Sequence, residues 1–363
     1  MPKKIKILYT IPNFDTAGSG KVVYDLVKGL DKTVFSPEIC VFHTKGAFFK
    51  KIEALNVPIH VFQFTADYKP LVSFAFKVLK ICRFFKKHRF DIIHSWHWSS
   101  DFSEPLAAKL VGIPFVYTKK AMGWGNKAWL WRSKLSSKII AINNDMLSDF
   151  FKSMPNKVIQ LPLGVDTIEY SPQSKNFRLA SNLGISDNDF VIATVVNMVP
   201  VKGIEVLLDA VKIINNKKIK VLIIGNDKSD YADALKIKYH NDEFLFLGKK
   251  MDVKPYLALS NVFVIPTKNE GRKEGMPIAP LEAMAMGIPV IGSNISGIKD
   301  ILHKYPQFLF EPSNSNDLAE KINFFINNHE FDKLELIHWV RQNFSLDSFI
   351  EQRESFYKLM LRR

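Results

Sequence analysis

The chain has 363 residues, 47% of them apolar and 24% charged, and its 50 Lys+Arg against 36 Asp+Glu give a formal charge of +14. That length carries two ordinary domains, each with its own core, and the composition excludes a disordered chain, a coiled coil and a solenoid. Two cysteines, Cys40 and Cys82, allow at most one bridge and give no metal-ligand spacing. They argue against a disulfide framework or a zinc site and for a reducing, cytoplasmic setting. The apolar run from Ile5 is broken by Pro12, Asn13 and Asp15, too soon for a signal segment. No stretch approaches the ~20 apolar residues of a membrane helix. So high a charge suits nucleic acid, an anionic membrane surface or an anionic small substrate. Lysine is spread along the chain with no basic run or nucleic-acid-binding motif, so nucleic acid is not an expected partner.

In chain order, apolar runs of strand length fall at 5–10, 38–42, 59–62, 91–94, 115–118, 138–142 and 158–161. After an interruption at 163–172, where Gly164, Asp166 and Pro172 break the periodicity, they resume at 190–196, 220–225, 244–247, 262–266, 289–292 and 308–310. Helical periodicity fills the gaps, as at 22–30, 69–89, 204–214 and 280–286. Repeated βα units predict parallel sheets in two α/β halves, and ligands of such sheets bind beyond the carboxyl ends of the strands.

Three loops at such ends carry chemistry. The first contains Gly18, Ser19, Gly20 and Lys21 before a helix, which lets backbone approach a phosphate. A P-loop would need Gly at Asp15 and Ser or Thr at Val22, so an ATPase reading fails. A plain tight turn explains this segment equally well. The second loop puts Lys202 at a helix start, where a cation is unfavourable by about 0.3–1 kcal/mol unless an anion sits nearby, so it reads either as a phosphate partner or as a plain solvated lysine. The third runs from Glu274 through Gly275, Met276, Pro277 and Ile278 to Glu282, in a short helix over 280–286 closed by Gly287 and Pro289. Were all eight residues helical, the two glutamates would stand about 12 Å apart along the axis. That exceeds the roughly 5–9.5 Å of a glycosidase carboxyl pair, so they read as touching two parts of one extended ligand.

The string 274–290 resembles the E-x7-E signature of family 4 retaining nucleotide-sugar glycosyltransferases, which have the two-domain GT-B fold. Other stretches fall in the same order: Phe90-Asp91-Ile92-Ile93-His94 resembles "PDIVH", Gly164-Val165-Asp166 "NGVD", and Pro200-Val201-Lys202-Gly203 "PxKG". Ile223-Ile224-Gly225 resembles "IVGxG", the loop from Gly248 to Asp252 "GxxxDV", and the run 261–266 "ADVFVLPS". The resemblance implies two Rossmann-like α/β domains facing across a cleft, an acceptor-side domain over 1–164, a nucleotide-sugar domain over 165–344, and a helix over 345–363 crossing back. It implies that Glu282 holds the ribose, Glu274 faces the donor sugar, and Lys202 pairs with the diphosphate. Gly18 and Asn197 lie beside that diphosphate, the loop residues Gly275, Met276, Pro277 and Ile278 lie near diphosphate and sugar, and Gly225 and Asp252 flank the base. No metal or other cofactor is implied, the nucleoside-diphosphate sugar being a co-substrate, and no protein nucleophile is needed.

Three departures from the pattern stand out: Asn197 replaces the usual Arg, Lys120 stands where a His is usual after Thr118, and Ala17-Gly18 replaces a Gly pair. Lys120 is therefore expected to supply the positive charge that Asn197 lacks. His94, His97 and Trp124 are acceptor-side candidates, with a structural role equally open. The cationic, apolar segment 69–89 reads as an ordinary packed helix or as an anchor on an anionic membrane surface, peripheral on the inner face of the cytoplasmic membrane. The expected activity is a retaining hexosyltransferase acting on a glycan or lipid-linked glycan in surface polysaccharide biosynthesis. The rivals are a nucleotide-sugar epimerase of similar fold and a non-catalytic protein binding anionic surfaces.

Overall fold

The computed structural model describes residues 3–15, 18–46, 48–271, 273–327 and 331–361. Ala17 and the side chain of Glu274 lie outside the described residues. The chain forms two compact units, one of residues Met1–Leu163 with Phe349–Arg363 and one of Gly164–Ser348.

The first unit holds a seven-stranded parallel sheet ordered β3-β2-β1-β4-β5-β6-β7. Its strands are β1 (Ile5–Thr10), β2 (Phe35–Val41), β3 (Ile59–Val61), β4 (Ile92–Ser95), β5 (Phe115–Lys119), β6 (Lys138–Ala141) and β7 (Val158–Gln160). Helices on both faces bury the strands from two sides, so Ile7, Leu8, Tyr9, Ile92 and Ile93 are fully inaccessible. The second strand begins three residues before the expected Glu38 despite Pro37. Pro37 pairs with Ile7 of β1, and β3 joins only from Ile39, so the missing N–H falls where β2 has one neighbour.

The second unit holds a six-stranded parallel sheet ordered β10-β9-β8-β11-β12-β13. Its strands are β8 (Phe190–Val195), β9 (Ile219–Ile224), β10 (Phe244–Gly248), β11 (Val262–Ile265), β12 (Val290–Ser293) and β13 (Leu309–Phe310). In both sheets the strand order turns back on itself, between β1 and β4 in the first unit and between β8 and β11 in the second. Such a reversal parts the loops at the carboxyl ends and leaves room for a ligand.

The last helix, Leu346–Leu361, belongs to the first unit from Phe349 onward. Arg353 fixes it there. Fully buried, its guanidinium donates to the carbonyls of Leu161 at 3.2 Å and Pro162 at 2.9 Å and lies 3.6 Å from the centre of the Phe349 ring. Those carbonyls satisfy a charge that would otherwise be costly to bury.

Candidate active site

In the second unit the loops after β8 and β11 meet at the strand reversal. Pro200–Lys202 forms one 3-10 turn, and Gly203, at φ +63°, turns the chain into the helix Ile204–Ile214. A side chain at Gly203 would put its Cβ 2.2 Å from the Pro266 carbonyl oxygen, so only glycine permits the two loops to touch. Lys268 N donates to Val201 O at 2.8 Å, which ties the loops further. Lys202 is 8% exposed at the turn's end, a buried cation where the sequence placed a diphosphate partner. Asn197, in the same loop, is exposed.

The loop after β9 closes on the same place. Gly225, at φ +150°, would bring a Cβ to 1.7 Å from Val196 O, and its N–H donates to Gly248 O at 3.1 Å. Asp252 accepts from Lys254 N at 3.1 Å, at the start of the short helix that follows. Lys273–Glu274 is extended, Gly275, Met276 and Pro277 are buried, and the helix Ala279–Ala285 begins just after Ile278. The two glutamates therefore do not share a helix, and the all-helical separation between them does not apply.

Tyr170 carries no mark of function in the sequence. It is buried and hydrogen-bonded to Glu282, and burial followed by the Glu282 charge raises its phenol pKa. Lys254 stands 5.7 Å from its ring centre and 3.5 Å from Glu169 Oε1. The interruption at 163–172 that holds Tyr170 reads only as a break in periodicity, and nothing local marks the tyrosine as a neighbour of Glu282.

In the first unit the corresponding edge is filled by side chains. Glu104, fully buried, is engaged by the Thr10 hydroxyl, by Ser95 Oγ at 2.8 Å and by Arg132 Nη2 at 3.4 Å. Arg132 also donates to Asp101 O at 2.8 Å and Ser95 Oγ at 2.9 Å. Burial, only partly offset by Arg132, pushes the Glu104 carboxyl up to about 7. Lys120 Nζ donates to Ser19 Oγ at 3.1 Å and to the Trp96 carbonyl.

The acceptor-side candidates divide. His94 is fully buried, with Nδ1 2.6 Å from Tyr357 Oη and Nε2 2.8 Å from Thr118 Oγ1, so neither ring nitrogen is left for a substrate. That is a correction to its candidacy: its place joins the last helix to the sheet. His97 sits edge-on to Phe42 and Phe64, and burial followed by the Arg132 and Lys120 charges pushes its pKa down to about 3. So weak a base cannot take an acceptor proton efficiently near neutral pH. Trp124 stacks on Trp129 at 4.9 Å, with Lys119 Nζ 3.9 Å from its ring centre.

Two doubly wound α/β units, each with loops gathered at its strand reversal, are the architecture of the GT-B class. A family model described as Glycosyltransferase Family 4 matches residues 16–169, and one described as Glycosyl transferases group 1 matches 176–335. The chain is 30% identical over 285 residues to the UDP-Gal:alpha-D-GlcNAc-diphosphoundecaprenol alpha-1,3-galactosyltransferase of Escherichia coli, covering 72% of this chain and 70% of that protein. It is 25% identical to the N,N'-diacetylbacillosaminyl-diphospho-undecaprenol alpha-1,3-N-acetylgalactosaminyltransferase of Campylobacter jejuni, over 82% of this chain and 84% of that one. A glycosyltransferase structure from Rickettsia africae superposes with a TM-score of 0.87 at 20% identity, over 99% of this chain and 100% of that one. Anabaena Alr3699/HepE in complex with UDP and glucose gives 0.80 at 19%, over 98% and 99%. The chain belongs to the family 4 glycosyltransferases and has the GT-B fold.

Proposed function

We propose that this enzyme moves a hexose, with retention of configuration and without a metal ion, from a nucleoside-diphosphate sugar to a glycan or lipid-linked glycan in surface polysaccharide biosynthesis. The observation that carries the reading is the meeting of three loops, two of them held by obligatory glycines, at the strand reversal beside buried Lys202, with Tyr170 hydrogen-bonded to Glu282 in the same unit. In this reading Glu282, steadied by Tyr170, accepts the ribose hydroxyls and Lys202 takes the charge that builds on the leaving diphosphate. A cation fixed in advance where negative charge develops is among the strongest contributors to catalysis. Glu274 faces the donor sugar, and the departing phosphate oxygen accepts the acceptor's proton on the same face, so the chain supplies no nucleophile. The Anabaena complex with UDP and glucose and the diphosphoundecaprenol named for the E. coli relative support the donor and acceptor classes. Membership of the family disfavours the epimerase and the non-catalytic rival. The test is thermal shift against a panel of nucleoside-diphosphate sugars. Wild type should be stabilised by one donor, by about 2.7 kcal/mol at a hundredfold excess over Kd, and Glu282→Ala should lose that shift. A shift retained in Glu282→Ala removes the reading.

The acceptor's lipid implies a surface to work on. Among the described residues no helix is long and apolar enough to cross a membrane. The helix Leu71–His88 instead exposes Leu71, Val72 and Phe76 at 74, 73 and 69%, a stripe that runs on into the exposed cations Lys80, Arg83, Lys86 and Lys87. An apolar stripe continued by cations suits in-plane attachment to anionic lipid, which would hold the enzyme peripherally on the inner face of the cytoplasmic membrane. Phe76→Asp should cut co-sedimentation with anionic vesicles while leaving melting unchanged, and equal binding by both proteins argues against the anchor.

A further inference from the structure

Three chemistry-bearing residues come together away from the loops above. Glu38 lies on β2, His60 on β3, and His88 ends the helix Leu71–His88 just before the chain enters β4 at its amino end. One ligand atom from each falls within 4.8 Å of the other two. His60 Nε2 is 2.6 Å from Glu38 Oε2, and the His60 and His88 ring centres are 4.4 Å apart. Glu38 is 5% exposed and the two histidines are half-buried. The cluster is walled by Phe84 and Phe90, with ring centres 5.4 Å from His60 and 5.7 Å from His88 respectively.

We propose that Glu38, His60 and His88 hold one divalent transition metal ion, zinc being the ion of choice. Two imidazoles and a carboxylate are a zinc ligand set, and a water completes the tetrahedron. Bonds of about 2.0–2.1 Å put tetrahedral ligand atoms about 3.4 Å apart. The 2.6 Å pair must open slightly and the widest pair must close, which side-chain rotation supplies. On binding, the hydrogen that His60 Nε2 shares with Glu38 gives way to the metal, and the neutral ring carries its proton at Nδ1 instead. Lys6 Nζ, 2.8 Å from Glu38 Oε1, keeps the other carboxylate oxygen and so orients the ligand. Its charge also opposes the cation and caps the affinity. Because the three ligands come from two strands and a helix end, the ion would pin the cationic helix to the sheet. No sequence spacing between positions 38, 60 and 88 shows this, and the expectation against a zinc site rested on cysteines.

The test uses untagged, chelator-treated full-length protein near pH 7, titrated with zinc alone. Wild type should take up one ion per chain and melt several degrees higher at micromolar zinc. His88→Ala, at a half-buried helix end, should bind at least tenfold more weakly, and Glu38→Gln should do the same. No uptake by wild type, or equal uptake and equal melting shifts in wild type and His88→Ala, overturns the proposal.

Discussion

The carboxyl edges of the two sheets solve the same problem with different materials. In the second unit the edge is built from backbone: Gly203 and Gly225 allow loops to touch, and amide–carbonyl bonds such as Gly225 N to Gly248 O hold them. In the first unit the edge is built from side chains, with Glu104, Arg132, Ser95 and Thr10 locked in one buried network beside Trp96 and His97. A backbone cradle must keep its glycines and its spacing, whatever it binds. A side-chain network can be rebuilt from other residues as its ligand changes.

The sharpest way to break this contrast is to remove Arg132. Taking one partner from a buried ion pair costs up to about 3–5 kcal/mol where the other charge stays unsolvated, and the cost rises with pH here because the Glu104 carboxyl can take a proton near neutral pH. Arg132→Met should lower stability by that order in denaturant melts. Adding Glu104→Gln should restore part of the loss, because the stranded carboxylate is then gone. If Arg132→Met melts like wild type, the first unit's edge does not depend on its charges and the contrast fails.

The same contrast explains what could be read from the amino-acid order. The βα alternation and the doubling of the fold are visible because parallel strands buried on both faces are near-continuous apolar runs. The Lys202-Gly203 and 274–282 segments are visible because backbone approach and helix starts demand particular residues at fixed offsets. Tyr170, Glu104 and Arg132 are not visible, because Tyr170 meets Glu282 across 112 positions, Glu104 meets Thr10 across 94 and Arg132 meets Glu104 across 28, with no local constraint to mark them. His94 misleads for the same reason. A histidine at a strand end looks available until Tyr357, from the last helix, occupies it.

Altering the second unit's edge is expected to act on rate rather than on stability. Lys202→Ala should reduce kcat/KM by about 10²–10³, the range for loss of one preorganised donor at a developing negative charge. Lys120→Ala sharpens the comparison by testing whether Lys120 supplies the cation that Asn197 lacks. Transfer should fall with little change in melting temperature, and unchanged transfer would show that its bonds to Ser19 and Trp96 are only structural.

The smallest effect is a pH dependence confined to the first unit. His97 is neutral in the fold down to about pH 3 because burial, then Arg132 and Lys120, oppose its protonation. Unfolded, it protonates near its ordinary value of about 6.5. A base with a lowered folded pKa contributes stability that is whole above about pH 6.5 and is lost as pH falls toward 3. At pH 5 the loss from this one residue is about 2 kcal/mol. His97→Phe, which suits a pocket already formed by Phe42 and Phe64, should remove that part of the acid sensitivity. His94, shifted the same way, should leave a remainder of it. Glu104 pulls oppositely: its raised pKa favours the fold at low pH, and that stability is lost as pH rises from about 4.5 toward 7. The measurement is therefore the difference between the two proteins at each pH, in which the Glu104 and His94 contributions cancel. A difference that stays flat from about pH 8 to about pH 5 would mean that His97 is already protonated in the fold, so that the charges around it do not face it as the structure shows.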